Sequence, residues 1–277
     1  MRIDAHQHFW KYDPREFAWI DDSMAGIRRD FLPADLEPLL TAEGFDGCIA
    51  VQTRQSLAEN RFLLDLARRS PFVRGVVGWV DLRKSDVELD LADFASDTRA
   101  VGIRHIAQAE PDDRFLARDD FIHGVRKLAA FDLAYDLLIY PRQLPAAIEL
   151  VTKVPEVRFV LDHCAKPEIR NAQWEPWAAQ IRELAKAPNV SCKISGLVTE
   201  ANWATWTKDT LKPYVEHVVA CFGIERCMLG SDWPVCLVAG EYARVVGAAM
   251  EIVTGVAGAG AVDAMGMCVE RVYLRVG

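Results

Sequence analysis

Short apolar, β-branched runs alternate with longer stretches of helical period from one end of the chain to the other, and no linker interrupts the alternation. This is the pattern of βα units feeding a parallel sheet, since a strand buried on both faces reads as a continuous apolar run and its parallel return needs a crossover helix. The runs predict eight strands: Arg2 to His6, Gly47 to Gln52, Arg74 to Val80, Gly102 to Ile106, Ala134 to Ile139, Val157 to Asp162, Ser191 to Ile194 and Arg226 to Leu229. Between them apolar residues recur at three- and four-residue spacing, as in Phe62, Leu63, Leu66 and Ala67, or Val215, Val218, Val219 and Phe222. Such spacing puts them on one face of a helix. Pro33 and Pro145 are placed to open helices, where the first turn tolerates a missing N–H. Glu241 to Val253 reads as the last helix of the alternation and Ala261 to Leu274 as an additional C-terminal helix.

Eight strand–helix pairs fit a closed barrel and also an open doubly wound sheet, and the polar residues choose between them. A doubly wound nucleotide binder wants a glycine-rich turn after its first strand, but that strand runs into His6-Gln7-His8-Phe9-Trp10, and Gly258 to Gly260 follows no predicted strand. In a barrel, catalytic groups come from the C-terminal ends of several strands. Here those ends carry Asp4 to His8, Gln52, Arg104-His105, Asp162-His163, Lys193 and Ser231 to Pro234. The expected fold is an α/β (β/α)8 TIM barrel with an additional C-terminal helix, one domain over residues 1–277.

A net charge of -8 with scattered Lys and Arg leaves no basic stripe for a phosphate backbone, so nucleic acid is not an expected partner. Met1 to Asp4 has no apolar leader core, and no stretch reaches the roughly 18 apolar residues of a membrane span, so a cytoplasmic protein without a membrane partner is expected. The seven cysteines (48, 164, 192, 221, 227, 236 and 268) form no Cys-x-x-Cys pair and sit mostly in apolar runs, which predicts reduced, buried thiols.

His6 and His8 lie two apart on an extended segment, so both project to one side, where two imidazoles can hold a divalent metal or a substrate oxyanion. A pair of hydrogen-bonded loop histidines is the plainer alternative. His163 closes the apolar run Phe159 to Asp162, where a titratable ring needs a partner, either a backbone carbonyl or a ligand. Asp232, after Met228 to Ser231, is placed to take a proton from water and return it to a leaving oxygen, or else to cap the next helix. Gln52, Arg104 and His105 at other strand ends are candidates to meet substrate, Arg104 by polarising a carbonyl. Trp10 and Trp233 flank the two motifs and could cover a sugar face or pack in the core, and Lys193 could face the mouth or pair with an acid.

Ile3 to Trp10 and Leu229 to Pro234, with Gly102-Ile103-Arg104-His105 and Leu161 to Pro167 between them, resemble the motifs of the amidohydrolase 2 branch of the amidohydrolase superfamily. The resemblance covers nearly the whole chain and is strongest to L-fuconolactone hydrolases. It implies that His6, His8, His163 and Asp232 occupy active-site positions, and that the substrate is a small sugar-acid lactone of L-fucose breakdown. The bridging carboxylated lysine and fifth-strand histidine of two-metal relatives are not visible, so at most one divalent ion is expected, zinc on His6, His8, His163 and Asp232. Related lactonases can work without metal, so the ion need not be essential.

The expected reaction is attack of water on the ester carbonyl, with Asp232 as general base and His6, His8 and His163, joined by Arg104 or a metal, stabilising the oxyanion. A metal-dependent decarboxylase or a pyrone-dicarboxylate lactonase on the same barrel is the alternative. A non-catalytic binder would have no need of both His-x-His and the late Asp at strand ends. Neither the preferred aldonolactone nor the oligomeric state can be read from the residues.

Overall fold

The computed structural model describes residues 1–274, so the last three residues of the domain expected over 1–277 lie outside it. The apolar runs form β1 (Ile3–Gln7), β2 (Gly47–Val51), β3 (Val73–Gly78), β4 (Ala100–His105), β5 (Ala134–Leu137), β6 (Phe159–Leu161), β7 (Val190–Ile194) and β8 (Cys227–Leu229). All pair in parallel in sequence order. The ring is closed by the segment after β8: Gln7 bridges to Trp233, the Asp232 N–H donates to the His6 carbonyl (2.8 Å) and the His8 N–H to the Trp233 carbonyl (2.7 Å). This is the (β/α)8 barrel that the alternation predicts. β6 stops at Leu161 because His163 to Lys166 turn left-handed immediately after it, which no strand can continue.

The helices are α1 (Pro33–Ala42), α2 (Leu57–Arg69), α3 (Val87–Ala95), α4 (Asp119–Lys127), α5 (Leu144–Lys153), α6 (Trp177–Leu184), α7 (Leu197–Glu200), α8 (Lys208–Phe222), α9 (Tyr242–Ala257) and α10 (Ala261–Val269). Pro33 opens α1 and Pro145 stands in the first turn of α5, as their missing N–H groups favour. The last barrel helix, α9, runs four residues beyond its expected end at Val253, to Ala257 before Gly258 at φ 89°. α10 is the additional helix, and Glu270–Leu274 continue it as a wider π turn.

α10 lies across the N-terminal ends of the strands. Gly266 approaches the start of β1 so closely that a Cβ there would stand 1.9 Å from the Met1 carbonyl oxygen, and Arg158, just before β6, donates to the Val272 carbonyl. Val269, Val272 and Tyr273 join Ile3, Ala5, Ile49, Val51, Val160 and Met228 in one buried apolar cluster that seals this floor. A larger apolar layer packs the surrounding helices on the strands. All seven cysteines are free thiols, Cys221 alone of them partly exposed. Among the described residues no single helix is long and apolar enough to cross a membrane.

Candidate active site

The C-terminal strand ends bring together charged groups that are almost wholly buried. From β1 come His6 and, one residue past it, His8; from β4 Arg104; from the turn after β6 Asp162 and His163; and from the segment after β8 Asp232. His8 Nε2 lies 3.2 Å from Asp232 Oδ1 and His6 Nε2 lies 3.9 Å from the same oxygen. The His6 ring centroid is 4.4 Å from that of His163 and 4.9 Å from that of His8.

Each ring is oriented from behind. His8 Nδ1 donates to the Val51 carbonyl at 2.7 Å, and its Nε2 faces Asp232 Oδ1 at 3.2 Å. His6 Nδ1 faces Asp162 Oδ1 at 3.2 Å while Arg104 Nη1 approaches its Nε2 at 3.3 Å, which places the ring proton on Nδ1 and the lone pair on Nε2. His163 Nδ1 meets the Ser195 hydroxyl at 2.9 Å, and with that hydroxyl as donor its Nε2 presents a proton. Gly196 stands behind it at φ +62°, with no room for a side chain: a Cβ would lie 2.5 Å from His163 Nδ1.

Beneath these rings lies a compensated ion cluster. Lys193 Nζ is 2.5 Å from Asp136 Oδ2 and 3.0 Å from Asp162 Oδ1, Arg104 Nη1 is 3.0 Å from Asp162 Oδ2, and the Tyr273 hydroxyl donates to Asp136 at 2.6 Å. Asp4 ties β1 to the segment after β8, accepting from the Ser231 N–H at 2.9 Å and the Tyr242 hydroxyl at 3.1 Å. Fully buried, these charges need such pairing, because transfer out of water costs several kcal/mol per ion.

The environment sets the protonation states. Burial alone would raise the Asp232 carboxyl, but the charges of His163, His6 and His8 and the hydrogen bond from His8 outweigh it and hold the group well below the usual carboxylate range. Burial pushes the His163 imidazole down to about 4 against the opposing pull of Asp232 and Asp162, and pushes His6 far down as well. At neutral pH the cluster therefore holds an ionised Asp232 beside neutral His6 and His163, a proton acceptor next to uncharged donors and ligands.

The backbone here is bent to that purpose. His163, Cys164, Ala165 and Lys166 all have positive φ (53°, 53°, 58° and 50°), and Asp232 has φ 59°. Non-glycine residues in this region cost about 1–3 kcal/mol each and persist where surrounding structure over-determines them, most often at functional sites.

Of the residues expected from sequence, the structure brings together His6, His8, Arg104, His163 and Asp232, with Gln52 beside them. The Gln52 side chain donates to the Arg104 carbonyl at 2.9 Å, and Arg104 Nη2 in turn donates to the Gln52 carbonyl. Among the described residues Arg104 Nε and Gln52 Oε1, both buried, have no hydrogen-bond partner. His105 is not in the cluster: the strand alternation that turns Arg104 inward turns His105 outward, stacked on Phe115 at 4.8 Å and hydrogen-bonded to Glu110 at 2.7 Å. Trp10 and Trp233 are also elsewhere, each 1% exposed and packed edge-to-face on Phe31, with Trp10 Nε1 donating to the Arg29 carbonyl. Asp162 is the central group that sequence reading left without a role; its position one residue before His163 at a strand end was the available signal.

The donor set suits a divalent ion. His6, His8 and Asp232 form one group whose ligand atoms all lie within 4.8 Å of one another, and His6, Asp162 and His163 a second. His8 Nε2 and Asp232 Oδ1, 3.2 Å apart, are placed to share a cation, whether proton or metal. Arg104 Nη1 already supplies a fixed positive charge 3.3 Å from His6 Nε2, the nitrogen that faces Asp232.

The amidohydrolase family matches residues 3–258, which leaves α10 beyond the match. An L-fucono-1,5-lactonase of Burkholderia ambifaria is 43% identical over 87% of this chain and 83% of its own length, and one of Burkholderia multivorans is 40% identical over 88% and 86%. The crystal structure of a Burkholderia multivorans amidohydrolase with bound zinc superposes with a TM-score of 0.94 at 37% identity, covering 99% of both chains.

Proposed function

Since the chain belongs to the amidohydrolase family, we propose that it is a carboxylic-ester hydrolase that opens a sugar-acid lactone, L-fucono-1,5-lactone or a stereochemical relative, within one barrel domain over residues 1–277. What carries this reading is the convergence of an ionised Asp232 with His6, His8, His163 and Arg104 at one barrel mouth, together with the likeness to the two Burkholderia lactonases.

Asp232 accepts a proton from water as the water oxygen attacks the lactone carbonyl, and returns it to the ring oxygen as the C–O bond breaks. Atoms balance: lactone plus water gives the open hydroxy acid. Negative charge grows on the carbonyl oxygen during attack. His163, whose Nε2 carries a proton when Ser195 donates to Nδ1, and Arg104, with an unpaired Nε, are the donors within the chain for that oxygen. Gln52 holds Arg104 in place through reciprocal hydrogen bonds. His6, His8 and Asp232 would hold a divalent ion, zinc being the proposed metal, and such an ion would supply Lewis acidity toward the carbonyl or the attacking water. Trp10 and Trp233 act as packing that holds the β1 and β8 ends, not as a sugar-facing wall.

A pH-stat panel of L-fucono-, L-galactono- and D-arabinonolactones against 2-pyrone-4,6-dicarboxylate tests the reading. Acid release from at least one sugar lactone, with a kcat/KM well above that for the dicarboxylate, is expected. Faster opening of the dicarboxylate, or CO2 release without lactone hydrolysis, would replace it with the pyrone lactonase or the decarboxylase.

A further inference from the structure

We propose that Lys166 and Glu200 form a charge-paired shelf at the barrel mouth that binds neighbouring hydroxyl groups of the lactone, and so select hydroxylated lactones over plain ones and over dianions. This rests on the lactonase reading and names the feature of the substrate that the site recognises.

Lys166 ends the left-handed turn that begins at His163, its N–H donating to the His163 carbonyl at 2.8 Å. A turn of about three residues brings its first and last side chains to one side, so the bend that aims His163 also raises Lys166 beside it. Glu200 closes α7, which follows β7 directly through Ser195 and Gly196, the two residues that support the His163 ring. The two side chains thus stand on adjacent βα connections, one carrying His163 and the other bonded to its ring through Ser195. The Lys166 ammonium lies 5.5 Å from the Tyr140 ring centroid and 3.8 Å from Glu200 Oε1. Both side chains keep partial access to solvent, 16% for Lys166 and 21% for Glu200.

The Lys166 charge contributes to lowering the His163 imidazole, and after burial and the opposing effect of Lys166, the Asp232 charge contributes to raising the Glu200 carboxyl. Neither group takes part in the proton transfers of the hydrolysis.

A separation of 3.8 Å is too long for a direct hydrogen bond, and among the described residues Glu200 Oε1 has only the Thr199 hydroxyl, at 3.5 Å, as its hydrogen-bond donor, so each group keeps capacity for a ligand oxygen. An ammonium offers only donors and a carboxylate only acceptors. A vicinal diol answers both, one oxygen accepting from Lys166 while a hydroxyl donates to Glu200. The pair is neutral overall, so it suits an uncharged polyol. For a second carboxylate on the substrate the repulsion of Glu200 would offset the attraction of Lys166, so the shelf gives a dianion no net advantage. As a structural ion pair the two would contribute little, because partly exposed pairs are weakly stabilising.

The test compares L-fucono-1,5-lactone with δ-valerolactone, which carries no ring hydroxyls, for the unaltered chain, Lys166→Met and Glu200→Leu. Each substitution should lower the ratio of the two kcat/KM values about ten- to a hundred-fold, as expected for a lost charge-assisted hydrogen bond. The loss should fall mainly on KM for the hydroxylated lactone, with the melting temperature unmoved. An unchanged ratio in both variants, with normal turnover by the unaltered chain, overturns the shelf alone. No turnover of either lactone by the unaltered chain overturns the lactonase reading and the shelf with it.

Discussion

At the floor of the barrel, α10 and the turn after it press Val269, Val272 and Tyr273 against Ile3, Ile49, Val160 and Met228, a mainly apolar contact from which the Tyr273 hydroxyl turns up to Asp136. At the mouth, the same strands lead into His6, His8, Arg104, His163 and Asp232, where nearly every contact is a hydrogen bond or an ion pair. Both ends are buried, yet they are held by different forces. The floor gains stability from area removed from water. The mouth spends stability on left-handed backbone at His163 to Lys166 and Asp232 and on desolvated charge, in return for fixed positions. Substitutions at the floor should therefore move stability and spare turnover, and substitutions at the mouth should do the reverse.

The layer between them gives the largest effect on stability. Lys193→Met would leave Asp136 and Asp162 without their shared cation, and removing one partner of a buried ion cluster costs about 3–5 kcal/mol. Urea denaturation measures it, and a loss below about 1 kcal/mol would mean that Arg104 alone compensates both carboxylates. At the floor, Gly266→Ala places a methyl 1.9 Å from the Met1 carbonyl oxygen, so α10 must shift, at about 1–3 kcal/mol, the usual range for overpacking. Its kcat/KM should match that of the unaltered chain at temperatures below unfolding; a parallel fall in activity would show that the two ends are coupled.

The smallest effect is expected outside both regions. Burial lowers the His105 imidazole below its ordinary value of 6.5, against the opposing pull of Glu110. The folded state then binds fewer protons than the unfolded one once pH falls below about 6.5, so this group's contribution is fully present above that pH and is lost as pH falls through the folded value. Melting temperatures of the unaltered chain and His105→Gln, compared from pH 7.5 to 5, should converge as the pH falls. A constant difference would remove His105 from the acid response.

Much of this was legible in the sequence because strand ends are where a parallel barrel exposes polar residues. His6, His8, His163 and Asp232 interrupt apolar runs, and each lies at the mouth. What was not legible depended on which way a side chain points within a pair. Arg104-His105 reads as two polar residues at one strand end, but the two-residue period of a strand sends only Arg104 inward. The tryptophans beside the motifs read equally as sugar wall or as core, and only packing against Phe31 decides for the core. Asp136, Asp162 and Lys193 come from β5, the turn after β6 and β7, and their pairing depends on register, which no local pattern records.

The central claim is that Asp232 is the proton acceptor in lactone opening, and Asp232→Asn tests it most directly. Asparagine keeps the shape and the neighbours but cannot take a proton, so kcat for L-fucono-1,5-lactone should fall by about 10² to 10⁴, the usual worth of a general base, while the melting temperature stays near that of the unaltered chain. Turnover within a few-fold of the unaltered chain in the folded variant would contradict the account.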